Sequence, residues 1–283
     1  NHRQAATSPY RDYFHAAEDK ETNSLIAKGT WTIEQPKHRV TVIKGAFIYR
    51  VKELETGLVE QFKARYVAKG YSQIPGIHYK ESFAPVASAT AIRAILLTAL
   101  EYNWPLHHVD ISTAFLNAKI EEGVEIYIQP PPTIQLQPGE YLRLRRGLYG
   151  LVQGSALWAK LLNKTLQNLG FTCNRADASV YTRTNTLGTV HCATVVDDFA
   201  ITGTSEAAIT EFKSDIACVW DCTDFGQLDW YIQLSVKRNR STGHMTISQQ
   251  TYIEKMMHRY HQIDPDLTYR PYDTPMDSSQ AGR

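Results

Sequence analysis

Residues 190–203 read Val-His-Cys-Ala-Thr-Val-Val-Asp-Asp-Phe-Ala-Ile-Thr-Gly, a mostly apolar run broken by Asp197 and Asp198. Two β-branched-rich runs around a tight acidic break predict a hairpin with both carboxylates at or beside its tip. An Asp-Asp pair in a turn is ordinarily turn chemistry, because Asp bonds its own backbone and tolerates unusual dihedrals. That does not account for residues 193–196, which approach the pair like a buried strand. A third carboxylate, Asp110, ends the short apolar strand expected over 106–111, 87 positions earlier (197 minus 110). If the two strands share a sheet, three carboxylates converge on one edge. Carboxylate oxygens suit a hard cation such as Mg²⁺, which keeps waters and phosphate oxygens as its other ligands. Two such ions about 3.5–4 Å apart activate an attacking hydroxyl and stabilise a leaving pyrophosphate. Carboxylate clusters also serve metal-dependent nucleases, and three aspartates can be picked from any chain.

The second group is cationic. Residues 58–68 alternate apolar Phe62, Ala64 and Tyr66 with Lys63 and Arg65. Period-two geometry puts Lys63 and Arg65 on one face of a strand, which makes it either a phosphate clamp or an ordinary wet face. Between residues 37 and 93 cations outnumber carboxylates. Residues 141–176 hold no Asp or Glu, only Arg143, Arg145, Arg146, Lys160, Lys164 and Arg175. Two basic regions in a chain of net charge +1 suggest a face for a polyanion.

With 283 residues, 43% hydrophobic and 21% charged, the chain has ample core for one large or two small domains. Cys173, Cys192, Cys218 and Cys222 show no metal spacing and read as free thiols of a reducing compartment. No run approaches a membrane span, and no signal peptide opens the chain. The first residue is Asn1, and the sequence reads as a piece of a longer polypeptide.

The elements that must position these groups follow from periodicity. A short helix is expected over 19–28, then strands over 40–51 broken at Lys44-Gly45, a turn at Glu55-Thr56-Gly57 and a strand to Ala68. Residues 88–101 carry the clearest helical stripe, capped by Ser88 or Thr90. A helix over 112–119 should follow the Asp110 strand, with strands over 124–128 and 141–144 and a helix over 156–169 closed by Gly170. Ser205 should cap a helix to about residue 219. Paired strands over 231–237 and 244–248, a helix over 249–260 and a Pro- and Asp-rich tail complete the chain.

Five blocks lie in order along the chain. They are Phe62-Lys-Ala-Arg-Tyr-Val-Ala-Lys-Gly-Tyr-Ser-Gln73, Glu81-Ser-Phe-Ala-Pro-Val-Ala87, Val109-Asp-Ile-Ser-Thr-Ala-Phe-Leu-Asn117, Gly147-Leu-Tyr-Gly-Leu-Val-Gln153 and Val196-Asp-Asp198. In order and spacing they resemble the reverse transcriptase of copia-type LTR retrotransposons, over nearly the whole chain. The resemblance implies an α+β right-hand polymerase fold with fingers, palm and the start of a thumb. Its parts would be an N-terminal extension (1–36), fingers (37–105), palm with Asp110 (106–128), fingers return and palm helix (129–176), palm with the Asp-Asp hairpin (177–228), and the thumb transition and tail (229–283).

The implied activity is RNA-directed DNA polymerisation, a nucleotidyl transfer with two Mg²⁺ ions, Mn²⁺ being a substitute. Asp110, Asp197 and Asp198 would be the catalytic carboxylates, with the Ile111 carbonyl as a further metal ligand. Lys63, Arg65 and Lys69 would hold the dNTP triphosphate. Phe115 would exclude a 2′-hydroxyl, where its reading without the family is a core residue at a helix start. Gln153 would touch the incoming nucleotide or the template, and Gly150, Gly154 and Val195 would lie along primer and template. The implied partners are an RNA template, a DNA primer, dNTPs, and the integrase and RNase H domains of a parent polyprotein, with no membrane. The implied location is a cytoplasmic virus-like particle, with nuclear access of the product.

Three departures stand out. Val195 replaces the usual Tyr, Gly154-Ser155 replaces Ala-Pro, and Gln233 replaces the second glycine of a Leu-Gly stretch. They keep a second expectation open: an impaired remnant that binds nucleic acid without polymerising.

Overall fold

The structure is a computed structural model and describes residues 2–36, 38–53 and 59–263. The turn expected at residues 55–57 and the tail after residue 263 lie outside the described residues. Helices α1 (His2–Ala6) and α2 (Arg11–Ala27) come first. α2 starts well before residue 19, because its buried stripe includes Glu18 and Thr22 beside Ala17 and Leu25, and apolar spacing alone does not register it. Strands β1 (Trp31–Glu34), β2 (Val42–Ile43), β3 (Gly45–Glu53) and β4 (Val59–Ala68) follow, then a 3₁₀ turn at Gly70–Ser72.

Helix α3 (Ala89–Glu101) has the predicted cap: Ser88 Oγ accepts from the Ala91 N–H. β5 (Leu106–Ile111) leads to α4 (Ala114–Asn117), a single turn where a helix to Lys119 was expected. It stops because Ala118 is already extended. β6 (Tyr127–Ile128) and β7 (Tyr141–Leu144) precede α5 (Gly154–Asn168), which Gly170 closes in the left-handed region (φ +83). β8 (Thr172–Cys173), β9 (Val180–Asn185), β10 (Gly188–Val195) and β11 (Asp198–Gly203) lead to α6 (Glu206–Val219), capped by Ser205, and to β12 (Cys222–Gln227).

The site sits on a six-stranded antiparallel sheet in the order β12-β5-β11-β10-β9-β8. The two acidic strands are therefore direct neighbours. One face carries Val109, Ile111, Cys192, Phe199 and Ile201 against Trp158 and Leu162 of α5 and Ile209, Phe212 and Ile216 of α6. Alternation sends Asp110 and Asp198 to the other face. There α3 packs on β10 and β11, where the residues are small, Ala193 and Ala200.

A second core lies beneath the β3–β4 hairpin and joins it to α2 and to a four-stranded sheet, β1-β7-β6-β2. Phe47, Ala64 and Tyr66 face this core with Leu25, Ile43, Ile128 and Leu148. The arrangement is mixed helix and antiparallel sheet, the α+β class expected, and β2 pairs in parallel with β6. The chain divides into two compact units between Gln227 and Leu228. The second holds β13 (Trp230–Tyr231), β14 (Leu234–Asn239), β15 (His244–Ser248) and α7 (Gln250–Ile263), its strands in sequence order.

Candidate active site

The hairpin exists, and the two carboxylates occupy different places in it. Val195 pairs with Asp198, so the tip is Val196-Asp197 and Asp198 is the first residue of β11. Asp198 is also paired directly with Asp110 on β5. Asp197 reaches the same place from the turn, whose carbonyl accepts from the Ile111 N–H at 2.9 Å. One carboxylate oxygen from each of Asp110, Asp197 and Asp198 lies within 4.8 Å of the others.

Such crowding has an electrostatic cost. Burial, then Asp197 and Asp198, push the Asp110 carboxyl up to about 6, against the pull of His108 and Lys63. Asp197 is raised as well, by burial and by Asp198, against its own backbone hydrogen bond and Arg65. Three oxygen donors that repel one another until a cation joins them are a fit for a hard divalent metal ion. The cluster could hold one.

The cationic hairpin faces this cluster. The cross-strand pairs Arg50–Lys63 and Ile48–Arg65 put Arg50, Lys63 and Arg65 on one face of β3–β4, with Lys52 further along it. Lys63 is depressed by burial and by its neighbours Arg65 and Lys52, and supported by Glu21 and Asp110. Arg65 lies 4.6 Å over the ring of Tyr149. Tyr149 meets Phe115 edge to face at 5.3 Å. Burial raises the Tyr149 phenol against the pull of Arg65, with Asp197, Glu21 and Asp110 adding to the rise. Guanidinium, phenol and Phe115 thus form a continuous wall beside the carboxylates.

Backbone packing sets the hairpin's distance from this wall. The Ala68 N–H donates to the Tyr149 carbonyl at 2.8 Å. A Cβ on Gly70 would stand 2.2 Å from the Gly150 carbonyl oxygen, and one on Gly150 (φ +84) 2.1 Å from the Ala68 oxygen. Gly154 opens α5, and a Cβ there would meet Leu148 O at 3.5 Å and Phe115 Cδ1 at 3.9 Å, ordinary contacts. Lys69 stands at the end of β4, its N–H donating to the Lys44 carbonyl. Gln153 is buried: its amide accepts from Gln73 and donates to the His78 carbonyl, and Gln73 Oε1 accepts from the Val152 N–H. The side chain therefore anchors the 73–78 loop to the 147–153 loop. The Glu81–Ala87 block is tied to β10, the Ala87 N–H donating to the Thr194 carbonyl.

Sequence reasoning passed over Tyr149, Arg50, Trp158 and His108. His108 was within reach, since it stands two residues before Asp110 and alternation alone places both on one face. Tyr149 gave no such signal, because its partners Arg65 and Phe115 are distant in sequence.

The chain belongs to the reverse transcriptase (RNA-dependent DNA polymerase) family, whose pattern matches residues 28–274. The members of that family are nucleotidyltransferases. The likeness to copia-type elements is borne out by relatives. The retrovirus-related Pol polyprotein from transposon RE1 of Arabidopsis thaliana is 30% identical over 90% of this chain and 17% of its own length. That from transposon RE2 of the same plant is 30% identical over 95% and 18%. That from transposon TNT 1-94 of Nicotiana tabacum is 27% identical over 97% and 20%. The chain spans about a fifth of the length of these relatives. A solved structure titled as the foamy viral protease-reverse transcriptase dRH in complex with ds DNA overlaps 90% of this chain and 37% of that one. Its identity is 10% and its TM-score 0.47. Among the described residues, no helix is long and apolar enough to cross a membrane.

Proposed function

We propose that this chain extends a DNA primer on an RNA template with dNTPs, as the polymerase of an LTR retrotransposon. The observation that carries the reading is the convergence of Asp110, Asp197 and Asp198 opposite the cationic face of the β3–β4 hairpin. The carboxylates, with the Ile111 carbonyl, would hold two Mg²⁺ ions, or Mn²⁺ in their place. When bound, these ions lower the pKa of the primer hydroxyl and neutralise charge on the leaving pyrophosphate.

The residues of the chain do the rest. Lys63 and Arg65, with Lys69 at the strand end, hold the triphosphate and offset the charge that develops in transfer. Arg50 and Lys52 extend the same face. Phe115, backed by Tyr149, closes the floor where a ribose 2′-hydroxyl would stand, so dNTPs are selected by exclusion. Gln153 acts on the nucleotide or template side through the loop it anchors. Gly150, Gly154 and Val195 line the primer–template path. In this reading the six-stranded sheet is the palm, the β3–β4 hairpin belongs to the fingers, and the second unit begins the thumb. Integrase and RNase H would be neighbours in a parent polyprotein, in a cytoplasmic virus-like particle whose product reaches the nucleus.

The test is Mg²⁺-dependent dTTP incorporation on an RNA template with a DNA primer, for wild type and Asp197→Asn. Wild type should incorporate and the variant should fall to background; equal rates would refute the site. Val195 favours one second reading, a chain that binds primer–template without extending it. Tight binding by a folded wild type with no incorporation would support that reading instead.

A further inference from the structure

Strand β5 carries two adjacent histidines with different duties. His107 faces α6, where its ring nitrogens meet Glu206 at 3.0 Å and Lys213 at 2.6 Å. His108 faces the other way, onto the acidic face. The register pairs Asp198 with Asp110 and Ala200 with His108, so His108 and Asp198 are diagonal neighbours across the ladder. His108 Nε2 lies 2.9 Å from Asp198 Oδ1. The imidazole is 13% exposed and the carboxylate 30%.

The third strand holds the imidazole in place. The β12–β5 register shifts between Asp224 and Gly226, which leaves Phe225 as an extra residue on the edge strand. Its ring stacks on His108 at 4.7 Å and 20°. A bulge beside a ladder of carboxylates therefore supplies a lid for one ring. A carboxylate only accepts, so Nε2 carries the proton in this contact.

We propose that His108 is a positioning residue for Asp198. Its bond to Oδ1 holds the Asp198 carboxylate in the orientation it presents to a cation. This rests on the reading that Asp110, Asp197 and Asp198 hold divalent metal. The physical need is plain: three carboxylates that repel one another turn apart unless something holds them. A hydrogen bond to an ionised acceptor, from a ring fixed by stacking, is among the stronger restraints a side chain offers. Removing the hydrogen-bond partner of a metal ligand typically lowers metal affinity about 10- to 100-fold. His108 touches neither substrate nor reacting atoms in this assignment, so its effect passes through Asp198.

The experiment measures Mn²⁺ binding by calorimetry to the full chain without nucleic acid, at one fixed pH shared by all variants. The variants are His108→Leu, His108→Ala and His108→Gln, with Asp197→Asn as the control on the site itself. Loss of the donor should weaken Mn²⁺ binding by about 10-fold or more. His108→Gln, whose amide can donate to the same oxygen, should recover most of it. In primer extension kcat should fall in the same order, with KM for primer–template unchanged. Leucine and alanine variants both lack the donor, so one that melts cooperatively is enough. Wild-type Mn²⁺ affinity in a folded donor-less variant overturns the role of His108. So does equal weakening in the leucine and glutamine variants, since a hydrogen bond is then not what matters. If Asp197→Asn leaves Mn²⁺ binding unchanged, the metal site itself is refuted, independently of the His108 variants.

Discussion

The indole N–H of Trp158 donates to the backbone carbonyl of Val196 at 2.7 Å. Val196 is the first residue of the two-residue turn between the acidic strands, and its φ is +60. A β-branched residue there is a genuine outlier, at an order of 1–3 kcal/mol, and persists only where the surroundings hold it. Two bonds do so, Trp158 on the Val196 carbonyl and the Ile111 N–H on the Asp197 carbonyl. Trp158 also packs on Trp220 at 4.9 Å, so a ring at this position is wanted for the core as well. Trp158→Phe keeps a ring and removes the donor. The half-buried Val196 carbonyl then loses its partner, at about 0.5–1.5 kcal/mol, read by urea denaturation. Because the turn carries Asp197, incorporation should slow by about 10-fold or more. A variant with wild-type incorporation would show that the turn holds itself.

The acidic centre was legible because each aspartate ends or interrupts an apolar run, and because Ser88 and Ser205 announce helices that pack on the two faces of its sheet. What escaped was non-local or exposed. β12 is mostly exposed, so it shows no alternation, yet it supplies the bulge that covers His108. β1 is a strand because it pairs with β7, whose partner residues lie more than a hundred positions on. The wall of Arg65, Tyr149 and Phe115 joins three separated blocks, and no window of sequence contains it. Gln153 shows the converse: its block was recognised, but the buried bonds to Gln73 and His78 are visible only in space.

Asp110 makes the metal-free protein sensitive to pH in a stated direction. Its folded-state pKa of about 6 stands above the ordinary value of 3.8. The folded state therefore holds that proton more tightly than the unfolded state. The associated stabilisation is complete below the unfolded value and is lost as pH rises through about 6. Asp110→Asn removes a crowded carboxylate without changing shape. In EDTA at about pH 8 the variant should melt a few degrees above wild type, with the gap closing as pH falls toward 5. Divalent metal should raise the wild-type Tm and not that of the variant. A variant that melts below wild type throughout would show that Asp110 is not strained by its neighbours.

Gly150 and Gly76 separate backbone freedom from close approach. Both have positive φ, +84 and +78. A Cβ on Gly76 meets nothing within 4 Å, whereas one on Gly150 stands 2.1 Å from the Ala68 oxygen. Gly76→Ala should cost only the left-handed term, about 1–2 kcal/mol. Gly150→Ala should cost clearly more, and should part the β4 end from the 147–153 loop. The expected signature is a raised KM for dNTP, as Arg65 loses its place over Tyr149. Equal destabilisation by the two substitutions would mean that the contact relaxes freely.

Gln233 occupies the place of the glycine that the resemblance leads one to expect, and the backbone still has the shape that glycine would serve. Tyr231 pairs with Leu234, so Ile232-Gln233 is a two-residue hairpin turn, with φ +46 and +65. Tight hairpins favour positive φ at both central residues because it matches strand twist, hence their preference for Asn-Gly. Each L-residue held there costs about 1–2 kcal/mol. Gln233→Gly removes one such penalty, offset in part by the greater freedom glycine gives the unfolded chain. The net expectation is a gain of about 0.5–1 kcal/mol, read as a higher denaturation midpoint, with incorporation per folded molecule unchanged. Ile232→Gly should gain at least as much, since a β-branched side chain is the more strained of the two. A loss of stability in both variants would show that the side chains, and not the turn geometry, hold this hairpin together.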